Sequence, residues 1–333
     1  MSKEKHVDTS LNKDKKEDVD HLISDELSYK PYDEDNHWDP KGLISQLKPW
    51  DPKMINTEHG MMDSLLIHGK RKSGKSYGLR AILHELKDHF GAAKVWSKTE
   101  DCNGWYNSQC GIPKPFIRTY LDQDELQQVQ ESQKERMQNH GMPYPDGSPG
   151  KANGYLCCVF DDFAGDPAIR HTQQIDEFYL IGRHHHIMPI ILTQHPAKIN
   201  TDIRTNTDWA LMYRTVSDRQ KDHLWDAHGN VFHKKNSFKK MLDEVTNDYR
   251  ALVYNGNENS LDPRDLFHIW KAPTVEPFLM GSEKYKDIRR KEMRDEEPGT
   301  RSLFGKIDIM PPDGSWKGAA SPFIRSMYSK LVI

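Results

Sequence analysis

Residues 69–76 read Gly-Lys-Arg-Lys-Ser-Gly-Lys-Ser, which fits the pattern G-x-x-x-x-G-K-[ST]. This spacing describes a backbone nest shaped around a triphosphate. Gly69 and Gly74 allow the close approach and positive φ angles that aim successive N–H groups at phosphate oxygens. Lys75 is placed to reach the β- and γ-phosphates, and Ser76 to ligate Mg²⁺ at a helix N-terminus. The expected ATP-binding residues are therefore Gly69, Lys70, Arg71, Lys72, Ser73, Gly74, Lys75, Ser76 and Tyr77. A lysine-rich surface turn is the competing reading, and only the neighbouring elements decide against it.

Two further segments end in side chains suited to the same chemistry. The run Gly154-Tyr155-Leu156-Cys157-Cys158-Val159-Phe160 stops at Asp161-Asp162, 85 positions after Ser76. Asp161 is expected to hold Mg²⁺ with Ser76, and Asp162 to polarise the water that attacks the γ-phosphate. Carboxylates capping a strand or helix would look the same in isolation. The run Pro189-Ile190-Ile191-Leu192-Thr193 ends in Gln194. If that strand lies beside the other two, Gln194 emerges near the γ-phosphate, to sense it or orient water.

The elements that must position these groups can be read around them. Ser64–Ile67 is a short apolar run suited to a buried parallel strand feeding the loop. Leu79, Ile82, Leu83, Leu86 and Phe90 lie on one helical face, with Gly91 as a stop signal. Further strands are expected at Ala92–Ser97, Trp209–Tyr213 and Arg250–Tyr254. Helices are expected near 122–139 and 167–184, with a Gly/Pro/Ser-rich loop at 141–153. Strands alternating with helices give an α/β fold with a mainly parallel sheet and helices on both faces.

The 333 residues suffice for one large α/β core with extensions. Apolar residues make up 35% of the chain, and the mean hydropathy is −0.86. No run approaches the ~18 apolar residues of a spanning helix, and the first residues lack the apolar core of a signal peptide. The chain is therefore expected to be a soluble intracellular protein without membrane insertion. Cys102, Cys110, Cys157 and Cys158 show no paired C-x-x-C spacing, so they read as reduced thiols without zinc.

Residues 1–35 carry six lysines and eleven acidic residues and read as a flexible charged arm. Residues 36–60 hold a repeat, Trp38-Asp39-Pro40-Lys41 and Trp50-Asp51-Pro52-Lys53, and read as a strap pinned by tryptophans. The ATPase core is expected at 61–272. A helical and irregular C-terminal extension follows at 273–333, with a serine-capped helix over Ser282–Glu297.

The stretch from Gly182-Arg183-His184-His185-His186 through Leu192-Thr193-Gln194-His195-Pro196 resembles the segment after Walker B in the FtsK–HerA superfamily of DNA-pumping ATPases. The likeness continues through Ile203-Arg204-Thr205-Asn206-Thr207-Asp208. Within that superfamily, these elements and Asp161-Asp162 look most like the genome-packaging ATPases of poxviruses and other large DNA viruses. The resemblance covers roughly residues 60–255. It implies a RecA-like P-loop core working as a homo-oligomeric ring around double-stranded DNA, driving the duplex into a preformed capsid. Capsid or portal proteins would then be partners, and the host cytoplasm, viral factory or virion the location. It also implies an arginine set against a neighbouring subunit's γ-phosphate. Arg183 and Arg204 are the first candidates and Arg214 the third.

Other features carry less. The three histidines at 184–186 diverge by about 100° per residue on a helix end, so they read as a polar turn and not a metal site. His233-Lys234-Lys235 with Lys239-Lys240 could track a phosphate backbone or form a solvated face. Three alternatives keep the same loop: a segregation or conjugation translocase, a nucleotide kinase, or a virion assembly protein that binds nucleotide without turnover.

Overall fold

Each core strand sends alternate side chains into two apolar layers. In Leu65-Leu66-Ile67, the outer two residues join one buried cluster and the middle one joins the other. Burial on both faces is what a parallel sheet covered by helices requires. The computed structural model describes residues 40–57, 62–140, 154–163, 173–232 and 234–296.

In chain order the strands are β1 (Lys48–Pro49), β2 (Leu65–His68), β3 (Ala92–Ser97), β4 (Ile117–Arg118) and β5 (Leu156–Asp161). After these come β6 (Ile187–Thr193), β7 (Trp209–Met212), β8 (Arg250–Asn255) and β9 (Phe267–Lys271). They form one sheet in the order β1-β9-β8-β7-β2-β6-β5-β3-β4. Neighbours run parallel except at β8, which is antiparallel to both β7 and β9. Helices α1 (Lys75–Glu85) and α6 (Glu283–Glu296) pack on one face through Leu79, Ile82, Leu83 and Tyr285. Helices α2 (Gln123–His140) and α3 (Gln173–Leu180) cover the other through Leu126, Val129, Ile175 and Phe178. Two more helices, α4 (Asp218–Leu224) and α5 (Lys235–Val245), flank a π-helical turn at Trp225–Gly229.

The expected α/β class and mainly parallel sheet are observed, with differences in detail. Gly91 is not the helix stop: α1 ends at Glu85, and Gly91 instead donates its N–H to Tyr155 O. β6 begins at Ile187, two residues before the expected start, because Ile187 and Met188 are buried against β5. β9 and β1 were not anticipated. β1 adds a two-residue edge strand, where Pro49 is tolerated because an edge leaves N–H groups unpaired.

The second tryptophan of the repeat packs into the core. Trp50 is buried, with its ring 5.7 Å from Trp209 and 5.1 Å from Trp270. Asp51 caps the following turn by accepting from Lys53 N. Trp38, the 1–35 arm, the 141–153 loop, the start of the 167–184 helix and the tail from Ser302 lie outside the described residues. The described part of 273–333 is built into the core. Met280 and Tyr285 are fully buried, and the Tyr285 hydroxyl donates to Ala93 O at 2.6 Å.

Candidate functional site

The register of the sheet brings the chemistry-bearing residues to one edge. Ser97 pairs with Asp161, Asp161 with Leu192, and His68 with Thr193. The ends of β3, β5, β6 and β2 are therefore level, and the loops that leave them open on one rim. β6 lies between β2 and β5, so Gln194 emerges between the phosphate loop and the two carboxylates.

The loop itself has the backbone of an anion nest. Gly74, at φ 104°, starts α1 from the left-handed region, and Lys72 is also left-handed at φ 62°. A side chain at Gly69 would meet Ser73 Oγ at 2.6 Å and Tyr213 Cβ at 2.7 Å, so only glycine fits. Ser73 and Lys75 are buried, whereas Lys70, Arg71, Lys72 and Tyr77 are exposed. The Lys75 amine donates to Gly69 O at 2.7 Å and Lys70 O at 3.1 Å. Burial pulls that amine below its ordinary range, and the charges of Asp162 and Asp161 partly restore it.

Asp161 and Asp162 differ although they are adjacent. Asp161 accepts from the Tyr106 hydroxyl at 3.0 Å and from Ser97 Oγ at 3.3 Å. Its burial, and then the charge of Asp162, push its carboxyl up to about 6. Asp162 sits at φ 58°, a left-handed conformation that costs a non-glycine residue ~1 kcal/mol or more. That bend aims its carboxylate toward β6, where Oδ2 accepts from Gln194 Nε2 at 2.7 Å.

Behind Gln194 stands a residue that carries no local sequence signal. Gln220 on α4 donates to the Gln194 carbonyl at 3.0 Å and accepts from Thr215 Oγ1 at 2.6 Å. The next residue, Lys221, pairs with Asp243 of α5 at 2.6 Å. Hydrogen bonds thus run from Asp162 through Gln194 to α4, and from α4 to α5. Tyr106 and Ser97 were equally unselected. Only Ser97 carried a signal, as the polar end of a strand, whereas Tyr106 meets Asp161 across 55 residues of chain.

A cleft of about 320 Å³ runs beside the loop, lined by Lys72–Tyr77, Thr99, Asn103, Trp105, Tyr106 and Asp161. Ser76 and Asp161 both face it. One carboxylate and one hydroxyl suit Mg²⁺, which takes few protein ligands and completes its shell with phosphate and water. A raised carboxyl pKa also marks a group that a cation would stabilise in its charged form.

The arginines separate. Arg204 lies on the rim side, within electrostatic reach of buried His68 and His228, and its Nη2 donates to Thr201 Oγ1 at 3.0 Å. Arg214 is held by Asp243 O and Asn247 Oδ1 at 2.7 and 2.8 Å. Arg183 precedes β6 and so lies at the opposite sheet edge, roughly 20 Å from Gln194 at ~3.3 Å per residue. Its guanidinium has no partner among the described residues.

The basic stretch is largely neutralised within the chain. Lys239 pairs with Asp222 at 2.9 Å, while Lys235 meets Asp222 and Asp226 at 3.5 Å each and lies 4.6 Å from the Trp225 ring. Lys234 and Lys240 remain exposed, and His233 is outside the described residues. His184 and His185 form a tight turn, His186 is buried beside Tyr155, and no metal-holding cluster occurs among the described residues. The cysteines are free, and no helix among the described residues is long and apolar enough to cross a membrane.

The sheet order and the loop define a P-loop NTPase fold of the RecA-like kind. No protein-family model matches the chain. Its sequence relatives are proteins of large DNA viruses. It is 25% identical over 260 residues to uncharacterized protein 088R of Invertebrate iridescent virus 3, across 75% of this chain and 95% of that one. It is 22% identical over 271 residues to uncharacterized protein 015R of Frog virus 3 (isolate Goorha), across 80% and 78%.

Solved structures of similar fold include the genome-packaging NTPase B204 of Sulfolobus turreted icosahedral virus 2 in complex with AMP. That match has a TM-score of 0.47 and 15% identity, over 66% of this chain and 100% of that one. Another is the pCW3 conjugation coupling protein TcpA with ATPγS, with a TM-score of 0.44 and 15% identity, over 76% and 75%.

Proposed function

We propose that this chain is an ATPase that moves double-stranded DNA, and that its task is to package a viral genome into a preformed capsid. The observation that carries the hydrolytic part is the Gln194–Asp162 contact on the rim between the phosphate loop and the carboxylate strand. Nucleotide binding alone needs neither residue.

In this reading the loop N–H groups and Lys75 grip the phosphates. Ser76 and Asp161 would hold Mg²⁺, which would supply positive charge against the phosphates. Asp162 accepts the proton of the attacking water, and Gln194 fixes both that carboxylate and the water's approach. Gln194 then passes the state of the site to α4 and α5 through Gln220. The helices α4 and α5 are the elements that this network reaches.

The DNA part is supported by the resemblance of the Arg183–Asn206 segment to DNA-pumping ATPases and by relatives in large DNA viruses. A ring of subunits follows from the same reading. Arg183 and Arg204 are then the guanidinium candidates offered to a neighbouring subunit, since Arg214 is held by Asp243 O and Asn247 Oδ1 and Arg204 makes only one bond, to Thr201.

Phosphate release from Mg-ATP by the purified full chain should rise when linear duplex DNA is added and stay unchanged with nucleoside monophosphates. Duplex movement would be read as displacement of a third strand ahead of the motor. Stimulation by monophosphates and not by DNA would favour a kinase. Binding without hydrolysis, with DNA and capsid proteins present, would leave only an assembly protein.

A further inference from the structure

The phosphate loop has a tyrosine at its shoulder that the hydrolytic reading does not use. Tyr249 sits on the turn that enters β8, on the far side of β2 from the carboxylates. A side chain built at Gly74 would meet Tyr249 Cβ and Cδ1 at 3.5 Å, so the ring lies against the loop backbone. Yet Tyr249 is 64% exposed. An aromatic ring set against a binding loop and left mostly open to solvent offers a face to something outside the chain.

The backbone supports the same conclusion. Asp248 and Tyr249 have φ angles of 56° and 58°, and Arg250 N donates to Asn247 O at 3.3 Å across them. Two consecutive positive φ angles mark a turn that favours Gly, Asn or Asp at its centre. Aspartate is tolerated there, but tyrosine is strained.

The turn is nevertheless held firmly. Arg214 donates to Asn247 Oδ1 at 2.8 Å, and Lys271 pairs with Asp248 at 2.6 Å. Arg214 also accepts from the loop, since Lys70 N donates to its carbonyl at 3.0 Å. The strained turn and the phosphate loop are therefore tied to one residue.

The direction of the nucleotide selects this side. Asp161, Asp162 and Gln194 lie on β5 and β6, so the reacting γ end of a triphosphate points toward them. The nucleoside end of an extended triphosphate then leaves on the opposite side of the loop, over β7 and β8. Tyr249 is the exposed ring waiting there.

We propose that Tyr249 is the platform on which the base of the bound nucleoside triphosphate stacks, an inference that rests on the nucleotide-binding reading of residues 69–76. Flat stacking grips the face of a base and not its edge, so Tyr249 supplies affinity for a nucleoside over bare phosphate.

Calorimetric titration of the full chain with ATP and with inorganic tripolyphosphate tests this, using Tyr249→Ala, Tyr249→Phe, Tyr77→Ala and Lys75→Ala. Tyr249→Ala should weaken ATP about tenfold, the order expected from losing one base–aromatic stack, and leave tripolyphosphate unchanged. Tyr249→Phe should restore ATP affinity, because the ring and not the hydroxyl is used. Equal loss of both ligands in Tyr249→Ala would mean a distorted loop and overturn the platform. So would unchanged ATP affinity in Tyr249→Ala, and a loss in Tyr77→Ala beside it would put the base on the cleft side. Lys75→Ala tests the parent reading separately and should weaken both ligands. If it weakens neither, the nucleotide-binding reading fails and the platform falls with it.

Discussion

Two groups of buried charge lie on the same sheet and are built in opposite ways. On β3, Lys94 pairs with Glu125 at 2.6 Å, Arg118 pairs with the same carboxylate at 3.0 Å, and Trp96 Nε1 donates to it at 3.3 Å. Burial draws Lys94 down to about 8, but Glu125 opposes the shift and every charge has its partner in contact. On the rim, Asp161 and Asp162 stand side by side, and Lys75 turns to loop carbonyls instead of to them. Neither aspartate forms a salt bridge with a described residue. A cluster in which every charge has a partner in contact is complete as a structural element, whereas carboxylates with no cation in contact, beside strained backbone, leave a place for a ligand.

The difference can be attacked from both sides. Lys75→Ala should lower ATP turnover by about 10²–10³-fold, the scale of removing one preorganised charge donor, with the circular dichroism spectrum unchanged. Glu125→Ala should do the reverse. It leaves Lys94 buried without its partner, so stability should fall by about 3 kcal/mol in urea titration while ATP affinity stays the same. A loss of nucleotide binding in Glu125→Ala would erase the distinction between the clusters.

The pH dependence sharpens it further. The Asp161 carboxyl titrates near 6 when folded and near 3.8 when unfolded, so the folded state takes up its proton first as pH falls. That contribution to stability is fully present below 3.8 and lost as pH rises through 6. Asp161→Asn should therefore melt a few degrees above the parent chain at pH 8 without Mg-nucleotide, and the gap should close toward pH 4. Adding Mg-ATP at pH 8 should stabilise the parent more than the variant. The smallest effect is expected at Gln220. Gln220→Ala should reduce kcat about fivefold with KM unchanged, equivalent to one hydrogen bond of ~1 kcal/mol.

What was legible in the sequence was carried by local signals. The loop spacing, the apolar runs and the polar residues that end them all lie within a few positions, and they placed Lys75, Asp161, Asp162 and Gln194 on one rim. The edge of the sheet was not legible. β9 spans only five residues, and β1 is two residues carrying a proline. Residues that support the site were hidden because their contacts are distant in sequence. Tyr106 reaches Asp161 over 55 positions and Gln220 reaches Gln194 over 26. The left-handed turn at Tyr249 has no marker, since tyrosine does not announce a positive φ, and the aspartates at 161–162 give no sign of which one bends. The basic run misled for a related reason. Its neutralising partners, Asp222 and Asp226, lie on the preceding helical turns, and only packing brings them across.

In the proposed function, Asp161 and Asp162 serve hydrolysis of what the loop binds. That role is tested most directly by single-turnover phosphate release from Mg-ATP in Asp162→Asn, with ATP affinity measured on the same preparation. The expected result is unchanged affinity and a release rate lower by about 10²–10⁴-fold, the range for losing a positioned general base. Release at the parent rate from a variant that binds ATP normally would contradict it.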